Sequence, residues 1–174
     1  KDLSGGFGTS SDFGSSLSSR LLKRAKKVAV CLPILNFGYL AALLKRRGHE
    51  VSFTEGRPVA GTDLYIVYAS LVEHCAEIDF ASRMRASGVK VGFVGSFASA
   101  RPDLFLPHAD FVIAGEPEGA FLEASDELDW SGIVTGPLVP DLDELPFPDW
   151  TPFPIQRYSY SHFLPHQPFL TMAA

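Results

Sequence analysis

The sequence predicts a doubly wound α/β domain, Rossmann-like or flavodoxin-like, with a mostly parallel sheet and flanking helices. Three observations carry this. Short apolar runs alternate with amphipathic stretches from Lys27 to about Leu128, the rhythm of β-α-β units. Leu64 to Ala69 is almost continuously apolar, as suits a strand buried on both faces of a parallel sheet. Finally, four breaks rich in Gly, Pro and Ser each follow an apolar run directly: Cys31-Leu32-Pro33, Tyr68-Ala69-Ser70-Leu71, Val94-Gly95-Ser96 and Ala114-Gly115-Glu116-Pro117. In a parallel sheet such loops emerge along one edge, so together they describe one binding crevice.

The elements follow in order. Val28 to Cys31 is a short strand. A helix from about Asn36 to Arg47 places Phe37, Leu40, Ala41 and Leu44 on one face, and Gly48 ends it behind Lys45, Arg46 and Arg47, cations that suit a helix C-terminus. Glu50 to Thr54 is the next strand. After Leu64 to Ala69, the four-residue recurrence of Val72, Ala76, Phe80 and Met84 marks a helix ending at Gly88, on which Glu73, Glu77 and Asp79 read as a solvated face. Val89 to Val94 and Asp110 to Ala114 are strands, and Pro117 and Glu118 open a helix that carries Phe121, Leu122 and Leu128 inward. A second arrangement stays open at the start: the first strand of the sheet lies upstream, and Val28 to Cys31 is an extra or edge segment.

Both ends differ in composition from this middle. Residues 1 to 19 hold seven Ser and four Gly, a composition too poor in apolar surface to offset its ordering entropy. Gly5-Gly6-Phe7-Gly8 lacks the preceding strand and the following Gly-Lys-Ser/Thr of a phosphate loop. Eight of the thirteen prolines fall between Pro137 and Pro168, interleaved with Phe147, Trp150, Phe153, Tyr158, Tyr160, Phe163 and Phe169. So many aromatics argue for a strap packed along a folded surface.

Bulk composition excludes several classes. The chain is 46% hydrophobic and 20% charged with a net charge of −5, enough to bury a core and opposite in sign to a nucleic-acid footprint. The basic cluster from Arg20 to Lys27 reads as a solvated lead-in to a strand. Two cysteines, Cys31 and Cys75, on different elements make a disulfide framework unexpected and favour a cytoplasmic setting. No apolar run reaches the ~18 residues that span a bilayer, and no signal-peptide pattern opens the chain. The sequence reads as an excerpt of a longer chain.

The stretch Leu32-Pro33-Ile34 through Phe37-Gly38-Tyr39-Leu40-Ala41-Ala42-Leu43-Leu44-Lys45-Arg46-Arg47-Gly48-His49-Glu50-Val51 resembles the P-x-x-x-x-G-Y-L-A-A-x-L-x-x-x-G-H-E-V segment of the N-terminal cobalamin (B12)-binding domain of B12-dependent radical SAM enzymes. The likeness continues through Asp63 to Ser70, Val91 to Ser96 and Phe111 to Glu118. It ends in Asp141-Leu142-Asp143-Glu144-Leu145-Pro146-Phe147-Pro148, which is similar to the linker before the radical SAM barrel. Composition divides the chain into a Ser/Gly-rich N-terminal segment over 1–26, a middle over 27–131 and a Pro/aromatic-rich stretch over 132–174, and the resemblance, covering roughly residues 32 to 170, implies that the last two are a cobalamin-binding α/β domain and a linker. It also implies a barrel further along the same polypeptide, with a [4Fe-4S] cluster, S-adenosylmethionine and a small-molecule substrate. That cluster needs a C-x-x-x-C-x-x-C motif, which this chain does not contain, so the stretch is not catalytic alone. The parent activity implied is methyl transfer to an unactivated carbon, or a related radical rearrangement or cyclisation.

The cofactor-binding residues implied are Pro33, Ile34 and Asn36, then Ser70, Leu71 and Val72, then Gly95, Ser96 and Phe97, and finally Gly115, Glu116 and Pro117. Ser70 would bond the cofactor's tail through its hydroxyl. Gly95 and Ser96 match a position commonly Gly-Gly, where the backbone approaches the ligand. The Gly115 loop opens a helix and can offer N–H groups. The loop from Leu32 to Gly38 has no histidine in place of the D-x-H-x-x-G lower-ligand motif of other B12 domains, and cobalt ligation by His74 is conceivable one turn beyond Ser70. Two other readings remain: a degenerate docking domain without cobalamin, and a free-standing flavodoxin-like binding domain.

Overall fold

The computed structural model describes residues 16–18, 30, 31 and 33–160. The Gly5–Gly8 run, the basic cluster from Arg20 to Lys27, Leu32, Phe163, Phe169 and the last four residues lie outside them. Four strands, β2 (Leu64–Tyr68), β3 (Lys90–Val94), β4 (Phe111–Gly115) and β5 (Gly132–Gly136), form an all-parallel sheet in that order. Strands follow one another in parallel only through crossovers. These are α2 (His74–Ala86), the short α3 (Ser96–Ala100) and α4 (Pro102–Phe105), and α5 (Pro117–Glu123). Ahead of the sheet stands α1 (Leu35–Arg46).

Helices cover both faces. Tyr65, Val91, Phe93 and Val112 point to one side, where they meet Phe80 and Ala81 of α2, Ala98 of α3 and Phe105 of α4. Residues of opposite parity, with Leu64, Ile66, Val94, Phe111 and Ile113 among them, meet Leu40, Leu43 and Leu44 of α1 and Ala120 and Phe121 of α5 on the other. This period of two is the physical signature of strands buried on both faces. Phe93, Phe105, Phe111 and Phe121 are fully buried, and burying each phenylalanine contributes on the order of 2–3 kcal/mol. The Rossmann-like α/β class is therefore the architecture observed.

Several elements depart from the sequence reading. β1 (Val30–Cys31) pairs antiparallel with β6 (Ser159–Tyr160) and stands outside the parallel sheet, the extra-segment arrangement kept open for it. Glu50 to Thr54 is not laddered into a strand; Val51 packs on the α1-side core, and the Phe53 ring lies against Phe37 and Phe153. Gly132–Gly136, assigned from composition to the linker, is the fourth strand, because its backbone pairs along β4 from Phe111 to Gly115. Val72 is not the first turn of a helix: α2 starts at His74, and Val72 is 67% exposed. Leu128 is buried in the α1-side core, as expected, but from beyond the end of α5.

The strap is packed, as its aromatics require. Trp150 and Tyr158 are buried, with Trp150 edge-on to Phe153 and Tyr158. It lies across α1 where Gly38 leaves room, and Asp149 N–H donates to Gly38 O at 2.9 Å. No helix among the described residues is long and apolar enough to cross a membrane.

Candidate functional site

The loops that follow β2, β3 and β4 leave the sheet at its carboxyl edge, and a chain of contacts joins them. Ala69 N–H donates to Val94 O at 2.8 Å, which sets the β2 loop beside Gly95. Gly95 has φ +107°, and a Cβ there would stand 3.0 Å from the Tyr68 ring. Above it the His74 ring meets Phe97 edge-on at 5.4 Å. The β3 and β4 loops meet at Ser99, whose Oγ accepts from Gly115 N–H at 3.0 Å and lies 3.0 Å from Gly95 O. Gly115 has φ +110°, and a side chain there would overlap the carbonyl oxygen of Gly136. The first turn of α1 reaches the same edge through Asn36, whose Nδ2 donates to Glu118 Oε1 at 2.6 Å.

All twelve residues singled out in the sequence thus lie along one edge, with unequal access. Leu71, Val72, Ser96, Gly115 and Glu116 are exposed. Ser70, Ile34, Asn36 and Phe97 are half-buried, and Pro33, Gly95 and Pro117 are buried. The buried three shape the loops rather than offer side chains. Phe97 is partly occupied beneath the edge, where it packs against Phe105.

The hydrogen bonds revise two expectations. Glu77 is not on a solvated face; it is 7% exposed and accepts from Ser70 N–H at 2.7 Å and from Ser70 Oγ at 2.6 Å. The serine's one proton is therefore engaged, while its oxygen also accepts from Glu73 N–H at 3.1 Å. Towards a ligand, Ser70 can act only as an acceptor through its remaining lone pair. The Gly115 loop does not offer N–H groups either. Gly115 N–H goes to Ser99, Glu116 N–H goes to Gly136 O at 3.0 Å, and Pro117 has none.

Burial holds the Glu118 carboxyl above the usual range; its own N–H and the Asn36 amide act against that, and the nearby Glu116 charge adds to it. Glu116 itself accepts from Val139 N–H at 3.4 Å. His74 Nδ1 lies 3.0 Å from Leu71 O and its Nε2 lies 3.5 Å from Cys75 Sγ. Among the described residues, no three His, Cys, Asp or Glu side chains come together as a metal site.

No protein family, characterised protein or solved structure was found to match this chain. Sequence reasoning missed Ser99, Glu77 and Glu118, the side chains that tie the loops. Ser99 falls one helical turn after Gly95, and no motif marks it. Glu77 sits seven residues after Ser70 in an acidic run with the composition of a solvated face, and only tertiary burial distinguishes it.

Proposed function

We propose that this chain is the cobalamin-binding portion of a B12-dependent radical SAM enzyme of the methyl-transfer or radical-rearrangement kind, working in the cytoplasm. One observation carries the reading: the four loops that bear the motif series lie side by side on one sheet edge. The residues present fit such a group. The edge is lined by small residues at Ser70, Ser96 and Gly115, flanked by exposed Leu71 and Val72, and the Ser70 oxygen is left as an acceptor. Cobalamin carries amide side chains around its ring, which supply donors of matching character.

In this reading Ser70, Leu71 and Val72 hold one flank of the cofactor, Gly95 and Ser96 its middle, and Gly115 and Glu116 the other flank, with Asn36 fixed beside them by Glu118. Bound there, cobalamin supplies a carrier for the transferred group. The [4Fe-4S] cluster and S-adenosylmethionine belong to the barrel of the same polypeptide, and the protein's part is to align the two chemistries over a small-molecule substrate.

A second reading, a docking domain that has lost cobalamin, is favoured by the engaged N–H groups of the Gly115 loop. An absorbance titration with hydroxocobalamin followed by gel filtration separates the two. Co-elution at one equivalent, abolished by Ser70→Phe and Gly95→Val with the fold retained by circular dichroism, supports the first reading. Absence of retention by the folded wild type overturns it.

A further inference from the structure

A cavity of about 260 Å³ lies beside β2, walled by Phe37 and by Phe53 to Gly56 on one side and by α2 on another. β2 stands at the end of the sheet order, and the cavity touches four of its consecutive residues, Tyr65 to Tyr68. Consecutive strand residues point to opposite faces; Tyr65 and Val67 join the α2-side core, and Ile66 and Tyr68 join the α1-side core. The cavity therefore wraps the outer edge of the sheet and draws its walls from both faces. None of the twelve residues assigned to the candidate edge lines it.

The walls combine two kinds of side chain. Five are aromatic, Phe37, Phe53, Tyr65, Tyr68 and Phe80. Three are carboxylates, Glu55, Glu73 and Glu77, and among the described residues no Lys, Arg or His lines the space with them. The carboxylates differ in what they already hold. Glu77 is buried and accepts from Ser70 N–H and Oγ, and Glu55 lies 3.1 Å from Arg157 Nη1. Glu73 is exposed at the mouth beside Ala76, and its carboxylate has no hydrogen-bond or ion-pair partner among the described residues. Ring faces attract an organic cation held within about 6 Å of the centroid, and a carboxylate at the rim supplies its counter-charge. An anion meets repulsion from the same walls. The volume equals about nine waters at ~30 Å³ each, which suits a molecule smaller than the usual drug-sized ligand.

We infer that this cavity binds a small organic ammonium ion, with its apolar body among Phe37, Phe53 and Tyr68 and its charge beside Glu73. A bare metal ion does not fit. Aromatic walls cannot replace its hydration shell, and among the described residues no three His, Cys, Asp or Glu side chains converge here. An ammonium ion clothed in carbon gives up little hydration and gains from both kinds of wall. The cavity also shares a wall with the candidate edge: Glu77 holds Ser70 from one side, and Glu73 N–H donates to Ser70 Oγ at 3.1 Å. An occupant that steadies Glu73 and the start of α2 therefore steadies Ser70 as well. The inference concerns a separate site and holds whichever ligand the edge takes.

An NMR titration of the full 174-residue chain at constant ionic strength tests it, with choline chloride as the probe and 3,3-dimethylbutan-1-ol, its uncharged carbon isostere, as the comparison. The expected result is saturable shifts of the Gly56 and Ile66 amides by choline, with a dissociation constant on the order of 1 mM and about tenfold weaker binding of the isostere. Glu73→Gln should weaken choline about tenfold and leave the isostere unchanged. Ala76→Phe, which fills the mouth from an exposed helical position, should abolish binding of both. Absence of saturable shifts at Gly56 and Ile66 up to about 50 mM choline overturns the inference. So do equal affinities for choline and its isostere, which would mean a neutral apolar cavity, or a Glu73→Gln variant that binds choline as the wild type does. If Ala76→Phe unfolds the chain, the wild-type comparison and Glu73→Gln decide.

Discussion

At the scale of single residues, the candidate edge is organised by hydrogen bonds from side chains that stand behind it. Ser70 is held by Glu77 from below and in turn holds the Glu73 N–H, so its orientation is set before any ligand arrives. Ser70→Ala leaves a buried carboxylate with one donor fewer and should cost about 1–2 kcal/mol in urea unfolding, together with weaker cobalamin retention if the proposed function holds. Glu118 gives a pH test. Its carboxyl is held above its ordinary value by burial, so the folded state favours the protonated form, and the stability this contributes is present at low pH and lost as pH rises through the raised pKa. Glu118→Gln keeps an acceptor for Asn36 without the charge. It should melt higher than wild type at pH 7, with the difference closing by about pH 4.

At the scale of elements, the helices are placed by what their small residues admit. α1 presents Gly38 to the strap, where a Cβ would come within 2.8 Å of Pro148 Cβ and 2.9 Å of the Trp150 ring. Gly38→Ala should therefore push the strap away and cost about 1–3 kcal/mol, seen as a red shift of Trp150 fluorescence at unchanged helix content. The sequence showed α1, α2, the start of α5 and the strands β2, β3 and β4 to within one or two residues, because each carries an apolar period with a Gly or Pro stop. It did not show β5. Gly132–Gly136 has an exposed Ile133 and two glycines, and it becomes a strand only because β4 offers a backbone edge beside it.

For the molecule as a whole, the strap is fastened to the α/β layer by packing and by ion pairs, Arg157 with Glu55 and, at the end of α1, Lys45 with Asp149. Lys45 Nζ lies 2.7 Å from Asp149 Oδ2 and donates to Thr151 Oγ1 at 2.7 Å. Burial opposes ionisation of Asp149, yet the bonds from Lys45 and Thr151 outweigh it and hold the carboxyl down at about 2, from 3.8. Its contribution is thus complete above its ordinary pKa and is lost as pH falls through about 2. Because the pair is partly exposed, Asp149→Asn should cost only about 0.5–1 kcal/mol at neutral pH. Thermal melts should show this difference shrinking towards 1 M salt and vanishing in strong acid.

The sequence by itself determined the α/β class, the order of its main helices and strands, the packed strap and the edge on which its Gly, Pro and Ser loops gather. These follow from local periods and stop residues, which act within a turn or a strand. Tertiary structure alone decided that Glu77 is buried rather than solvated, that the Gly115 loop has its N–H groups engaged, that β5 joins the sheet and that β1 stands apart from it. Most of these depend on a partner outside the local element, Gly136 for Glu116 and β4 for β5, and no local pattern encodes which backbone or side chain arrives.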